Sequence, residues 1–478
     1  MIGTAMALLG GNLGVALLKF ARNILVARLL SVENFGIAAT FAIVFGFIEM
    51  LAFLGLDRFL IQTRNANLER VQATLHSLQI LRGVFVAGVL WVTAEPLAAL
   101  MDVPQVAWAF RLMALLPLIQ GFLHLDMARA QRGMRFGPFV KAALGAEIAG
   151  LLSVWPFFLV FGDYRVVLGA LLLQITLMTL LSHLLAERRY ALGLDRTPAI
   201  GALRFGWPLL FNAALMFGIL QGDRIIVANQ LGPVTLGLFS LAFMLTFMPT
   251  GVLAQTINRL FLPKLAPLQD DPAAFDALAR VVVQTGLVVG LAVAVGFSVL
   301  GADLVLILFG EKYAGALAVL VWLAVMQAVR VAKMGVSVVA LARGETRSPM
   351  VANIPRVLLL PVAWLLVERG AGMETVVAVA ILGEAAGLAT AFALLRSWLA
   401  VPVRPLIPAL LAWGAVLALV VADAALRPRQ PEVFANFHLF QGVILFAALA
   451  AVLAMRDLRA RAFGLLRGAR RGPFTGNS

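Results

Sequence analysis

Lys19 and Arg22 lie three residues apart in an otherwise apolar stretch, a spacing that puts both on one face of a helix. Asp223 and Arg224 stand in a second apolar stretch, Arg356 in a third, and Glu49, Glu147 and Glu384 singly in others. A charge at mid-bilayer depth costs about 2.5–3.5 kcal/mol on insertion scales, so it needs water, a partner or a ligand. Arginine binds phosphate oxygens in pairs, so a water-filled cavity lined by Lys19, Arg22, Arg224 and Arg356 would suit an anion, a diphosphate in particular. Glu49, Glu147 and Glu384 could bind a coupling proton or cation, or could pair with an arginine, and Asp223 could simply neutralise Arg224. The cations could equally snorkel or pair with one another; snorkelling is the expectation for Arg82 and Arg111, which fall near span ends.

Other chemistries lack their residues. With 0 cysteines the chain has no disulfide, thiolate nucleophile or Cys-ligated metal centre. Its 4 histidines, at 76, 124, 183 and 438, are scattered and form no H-E-x-x-H or comparable ligand motif. There is no Walker A sequence and no paired-carboxylate constellation in a loop, so neither an enzyme nor a bound metal or cofactor is expected. Energy for uphill movement of a substrate would come from an ion gradient or from consumption of the substrate on the far side.

The elements that hold these charges follow from composition. Of 478 residues 62% are hydrophobic, and the 42 glycines raise the apolar share to about 71%. Soluble domains sit near 45–50% on that count with about 25% charged. Here only 13% are charged, which predicts an all-α integral membrane protein. Segments long enough to span fall at 2–30, 35–56, 76–98, 105–125, 138–161, 165–186, 203–228, 234–257, 280–309, 314–341, 349–368, 373–396, 405–424 and 434–455, fourteen in all. Met1 to Leu18 lacks a basic n-region and a cleavage site, so it reads as a retained first helix rather than a signal peptide.

With the N-terminus inside, the inside connections and the tail carry 26 of the 38 basic residues and the outside connections 6. The positive-inside rule then places both termini in the cytoplasm. The net charge of +14 is therefore mostly a topology signal, and nucleic acid is not an expected partner. The connection 258–279, with Asp270-Asp271-Pro272, reads as a turn plus an interfacial helix, and the Arg-rich tail after Met455 as lying on the anionic inner leaflet or disordered.

The chain also matches itself at an offset of 201 residues. Ile24–Leu30 falls on Ile225–Leu231, Gly36 on Gly237, and Asp57-Arg58 on Asn258-Arg259. This predicts a duplicated six-helix unit, both copies entering the membrane in the same direction. The expected organisation is a lobe over 1–200, a second over 201–400, two further helices over 401–455 and a basic tail over 456–478. Helices 1 and 7 would line the cavity. Pro208, Pro249, Pro361 and Pro408 can kink helices, and Gly10-Gly11-x-x-Gly14 permits close packing.

Several of these segments resemble one family. The run from Ile24 through Ser31-Val32-Glu33-Asn34-Phe35-Gly36 resembles the first-helix signature of bacterial polysaccharide exporters, within the multidrug/oligosaccharidyl-lipid/polysaccharide exporter superfamily. Gly55-Leu56-Asp57-Arg58-Phe59, Arg132-Gly133-Met134-Arg135-Phe136, Asp223-Arg224-Ile225-Ile226 with Leu231-Gly232 and Gly237, and Phe261-Leu262-Pro263-Lys264-Leu265 resemble later family elements in the same order. The family's short basic segment before helix 1 is missing, which points to a misassigned start or a trimmed N-terminus, and Val32 stands where Pro is frequent.

The resemblance implies a flippase of the bacterial inner membrane, moving undecaprenyl-diphosphate-linked oligosaccharide between leaflets for O-antigen, capsule or exopolysaccharide assembly. Its implied partners are that substrate, membrane lipids, and polysaccharide polymerase or export proteins. A lipid II flippase is the neighbouring alternative. A cation-coupled drug antiporter normally has twelve helices and an acidic site, which the basic excess disfavours. A non-transporting scaffold has no use for costly intramembrane charges.

Overall fold

The structure, a computed structural model, describes residues 2–63, 68–399, 401–426 and 437–461. Arg64, Arg427, Arg429 and the tail beyond Arg461 lie outside the described residues. Every regular element among the described residues is helical, the arrangement that satisfies backbone polar groups within lipid. Ten of the described helices are long and apolar enough to cross a membrane. Large apolar side chains such as Val92, Val160, Ile307 and Phe446 lie exposed on their outer faces, as a lipid solvent allows.

Two compact units divide the chain at Ser240/Leu241. The first contains α1 (Ile2–Leu29), α2 (Val32–Leu51), the short α3 (Leu56–Gln62) and α4 (Glu69–Leu100). It continues with α5 (Ala107–Met113) and α6 (Leu115–Gly121), α7 (Asp126–Arg132), α8 (Gly137–Leu152), α9 (Val154–Phe161), α10 (Arg165–Leu184) and the first part of α11 (Arg196–Leu265).

Connections between spans are short. α1 ends at Leu29 and Ser31 caps α2, its hydroxyl accepting from the Asn34 N–H at 3.2 Å. The expected helices 7 and 8 are both inside α11, which breaks at Gly232, where φ is 76° and a side chain would be strained. Ser31 and Gly232 are 201 residues apart, the offset found in the sequence. Next to both breaks, α2 and α11 cross backbone to backbone. A Cβ on Gly36 would overlap the Pro233 carbonyl, and one on Gly237 would lie 2.5 Å from the Val32 carbonyl oxygen. Gly36→Ala is expected to destabilise by about 1–3 kcal/mol through overpacking, and valine by more. The check is membrane yield and the Tm in detergent; an unchanged Tm would contradict the crossing.

The second unit holds the rest of α11, then α12 (Pro272–Phe309), α13 (Leu317–Ala342), α14 (Arg347–Val351), α15 (Ile354–Leu358), α16 (Leu360–Glu368), α17 (Met373–Ser397), α18 (Ile407–Leu426) and α19 (Phe437–Leu453). Its apolar core runs through α12, α13, α17 and α18 and includes Phe275, Leu287, Val339 and Trp413. Small residues bring α12 and α13 together: a Cβ on Gly290 would meet the Ala328 carbonyl at 2.7 Å.

Two expectations need correction. No separate interfacial helix forms between 258 and 279: α11 runs on to Leu265, and after one short turn Asp271 caps α12 by accepting from the Ala274 N–H at 3.1 Å. Arg330 and Lys333, counted with the inside connections, lie within α13, and Lys333 is buried. Both belong to a helix long and apolar enough to cross a membrane and not to a connection, so the count expected for the inside connections falls by two.

Candidate functional site

Within the first unit, α1, α2, α6, α8 and α10 enclose a cavity of about 620 Å³. Its polar lining is Lys19, Arg22 and Asn23 from α1, Glu49 from α2, Gln120 from α6, Glu147 from α8 and Gln174 from α10. Phe45, Phe139, Leu171 and Met178 supply apolar wall. The periodicity of α1 turns Lys19 and Arg22 to the same side, and Gly150 leaves room there: a Cβ on it would come within 2.9 Å of the Arg22 guanidinium.

These side chains form one network. Arg22 Nη1 donates to Gln174 Oε1 at 2.5 Å, and Gln174 Nε2 donates to Glu147 Oε1 at 2.5 Å. Glu147, buried, lies 3.4 Å from Arg22 and 3.4 Å from Lys19. Arg22 is largely enclosed while Lys19 is half exposed, at 13% and 47% of the side chain. The cavity thus carries two cations and two carboxylates, with Glu147 as the direct counter-ion of both cations.

A second cavity of about 360 Å³ adjoins it and shares Glu49, Gln120, Phe139, Ile175 and Met178. Asp57, Arg58, Gln79 and Arg82 line it. Arg82 does not snorkel: it lies within α4 and donates to the Ala52 carbonyl at 2.8 Å, at the end of α2. Arg111 instead forms an exposed pair with Glu95 at 2.5 Å.

Arg224 and Arg356 are not among the residues lining these cavities. Arg224 donates to Gln221 Oε1 at 2.9 Å and to the Ser240 hydroxyl and the Ala39 carbonyl at 3.3 Å, all neutral acceptors; Asp223 beside it is buried. Arg356 belongs to a cluster in the second unit. There Glu384 of α17, 0% exposed, takes Arg330 Nε at 2.6 Å and Lys333 Nζ at 2.6 Å, with Arg356 Nε at 3.8 Å. Lys333 Nζ also donates to Asn353 at 2.8 Å.

Each unit therefore holds a buried glutamate between basic residues three apart on one helix. Sequence reasoning found Lys19, Arg22, Glu147, Arg356 and Glu384 but missed Arg330, Lys333 and Gln174. The spacing of Arg330 and Lys333 repeats that of Lys19 and Arg22 and was the available signal; Gln174 carried none.

Apolar outer faces, charges gathered inside and helices long enough to cross define a multi-span membrane protein. The family described as "Polysaccharide biosynthesis protein" matches residues 25–318, more than half of the chain, and the protein belongs to that family. It is 28% identical over 321 residues to the succinoglycan biosynthesis transport protein ExoT of Rhizobium meliloti (strain 1021), covering 65% of this chain and 63% of ExoT. It is 22% identical over 313 residues to the lipopolysaccharide biosynthesis protein WzxC of Escherichia coli (strain K12), covering 64% of this chain and 62% of WzxC. The chain thus spans just under two thirds of the length of either relative. The fold is shared with the lipid II flippase MurJ in an inward closed conformation, with a TM-score of 0.70 at 12% identity over 97% of this chain and 100% of that one. An inward-facing multidrug resistance MATE family transporter of the MOP superfamily gives a TM-score of 0.65 at 16% identity, over 80% of this chain and 94% of that one.

Proposed function

We propose that this protein is a flippase that carries undecaprenyl-diphosphate-linked oligosaccharide from the inner to the outer leaflet of the bacterial inner membrane for surface polysaccharide assembly. The observation that carries this reading is the Lys19–Arg22–Glu147–Gln174 network on the wall of the 620 Å³ cavity. Glu147 holds the two cations in place when the site is empty. An arriving diphosphate displaces that carboxylate from Arg22 and Lys19, offering the guanidinium fork two oxygens where Glu147 stands at 3.4 Å. The second cavity, with Arg58, Arg82, Asp57 and Gln79, supplies hydrogen-bonding groups for the sugars. No bond is made or broken in the cargo, so the residues need only bind, release and exclude the wrong charge.

Fourteen spans with both termini cytoplasmic, and six-helix repeats over 1–200 and 201–400 followed by helices in 401–455, complete the proposal. The matched breaks at Ser31 and Gly232 and the Gly36–Gly237 crossing support the repeat. The cavity opens alternately to the two membrane faces, and Glu49 and Glu147 are the candidates for ion coupling. Membrane lipids and the polymerase and export proteins of the same polysaccharide are the expected partners.

Deletion of the gene tests this reading. The expected result is loss of one surface polysaccharide, with its lipid-linked repeat unit accumulating on the inner leaflet. Rescue of a strain depleted of its lipid II flippase would transfer the protein to peptidoglycan synthesis instead, and an unchanged surface glycan would refute the proposal.

A further inference from the structure

Three of the four histidines, separated by 48 and 59 residues, meet around Tyr190. His76 of α4 stacks on the Tyr190 ring at 4.2 Å, His124 meets His76 edge-on at 4.9 Å, and His183 of α10 lies 5.2 Å from His124. His124 sits in the break between α6 and α7, and Tyr190 in the connector that leads from α10 into α11.

The backbone around them dictates their protons. A carbonyl only accepts and an amide N–H only donates. His76 Nδ1 faces the Ala191 carbonyl at 3.0 Å while its Nε2 accepts from the Leu125 N–H at 3.1 Å, so His76 is neutral and protonated on Nδ1. His124 is the mirror case: Nε2 faces the Arg188 carbonyl at 3.1 Å and Nδ1 accepts from the Asp126 N–H at 3.1 Å. Both rings are buried, at 1% and 2% exposure. A second proton on either ring would set N–H against N–H and break the bond to the α6–α7 break.

We infer that His76 and His124 form a proton-released latch that holds the α10–α11 connector against α4 and the α6–α7 break when both imidazoles are neutral, and frees it when they are protonated. Thr74 and Ser77 of α4 add neutral bonds to the connector, from the Asp195 and Gly193 N–H groups at 3.1 Å. The charged and titratable groups around the pair are His183 from α10, Asp126 and Arg129 from α7, and Glu187, Arg188 and Tyr190 from the connector; farther along, Arg70 lies 3.9 Å from Asp195. Asp126 is clasped by Arg129. Glu187 is held at about 2 by the Arg135 guanidinium first and Arg129 next, so it stays charged across the neutral range. The latch then turns on the His76 and His124 imidazoles, whose ring nitrogens are all committed to backbone groups. Once released they protonate near pH 6.5, so the closed latch loses about tenfold in its equilibrium per histidine per pH unit below that value.

The chain has 0 cysteines, so a single reporter can be placed cleanly. Leu192→Cys, at an exposed connector position, would carry a nitroxide in the full-length protein in liposomes. The expected spectrum is immobilised at pH 8 and gains a mobile component as pH falls below about 6.5, and the His76→Gln/His124→Gln protein shows no such transition. A pH-independent spectrum in the parent protein, or the same transition in the double variant, would overturn the latch. Should the double variant fail to insert, imidazole ¹⁵N shifts of the parent protein decide: Nδ1–H for His76 and Nε2–H for His124 at pH 8 are required, and an imidazolium at either would refute it.

Discussion

Arg22→Ala is expected to slow translocation by about 10- to 100-fold while the protein still inserts, because it removes one charge-assisted contact worth about 1.5–3 kcal/mol. The remaining cation, Lys19, sits 3.4 Å from Glu147 and is half exposed, so it neutralises that carboxylate but offers a point charge where the guanidinium offered a fork. Arg22→Lys should therefore recover part of the activity. Glu147→Gln should behave in the opposite sense: with its counter-ion gone, the site retains the diphosphate more tightly and releases it more slowly. The measurement is surface glycan per molecule of expressed protein, with leaflet distribution of the lipid-linked repeat. Normal glycan at normal expression in Arg22→Ala would remove the basis for the cavity reading.

Glu384→Ala should have the largest effect on folding. The carboxylate is fully buried and faces Arg330, Lys333 and Arg356, so its removal leaves three cations around an empty centre. Breaking a buried pair from one side costs about 3–5 kcal/mol, a large share of the ~5–15 kcal/mol that holds a typical protein folded. The expected outcome is loss of membrane-accumulated protein and a lowered Tm in detergent. Replacing the charges together, as in Glu384→Met with Lys333→Met, should restore part of the yield, because the cost lies in the uncompensated charge. Wild-type accumulation and Tm for Glu384→Ala would show that the cluster is solvated after all.

What the sequence disclosed tracks what is local. Apolar length located the helices, and three-residue spacing located Lys19 and Arg22, because both are properties of a single segment. Gln174 was invisible: a neutral amide in an apolar helix becomes informative only when α10 sets it between Arg22 and Glu147. Arg330 and Lys333 were counted with a connection although both fall inside the expected 314–341 segment, and it takes the packing of α17 against α13 to show the buried glutamate they face. Arg82 was misread for the same reason, since its partner is the backbone of Ala52 on another helix. The histidines seemed unrelated because their meeting depends on where α4, the α6–α7 break and the connector end. The interfacial helix expected after residue 258 failed because the apolar Phe261-Leu262 pair lets α11 continue past the expected end of the span.

The crossing of α2 and α11 uses its residues twice. Gly36 meets Pro233 and Gly237 meets Val32, and each of these partners is the other's counterpart at an offset of 201. Such a contact is isologous, the kind two identical chains make across a two-fold axis. On the duplication reading, a half-length ancestor already owned both sides of it. A homodimer could form the crossing before fusion, and joining the two halves would have required no new surface, only a linker.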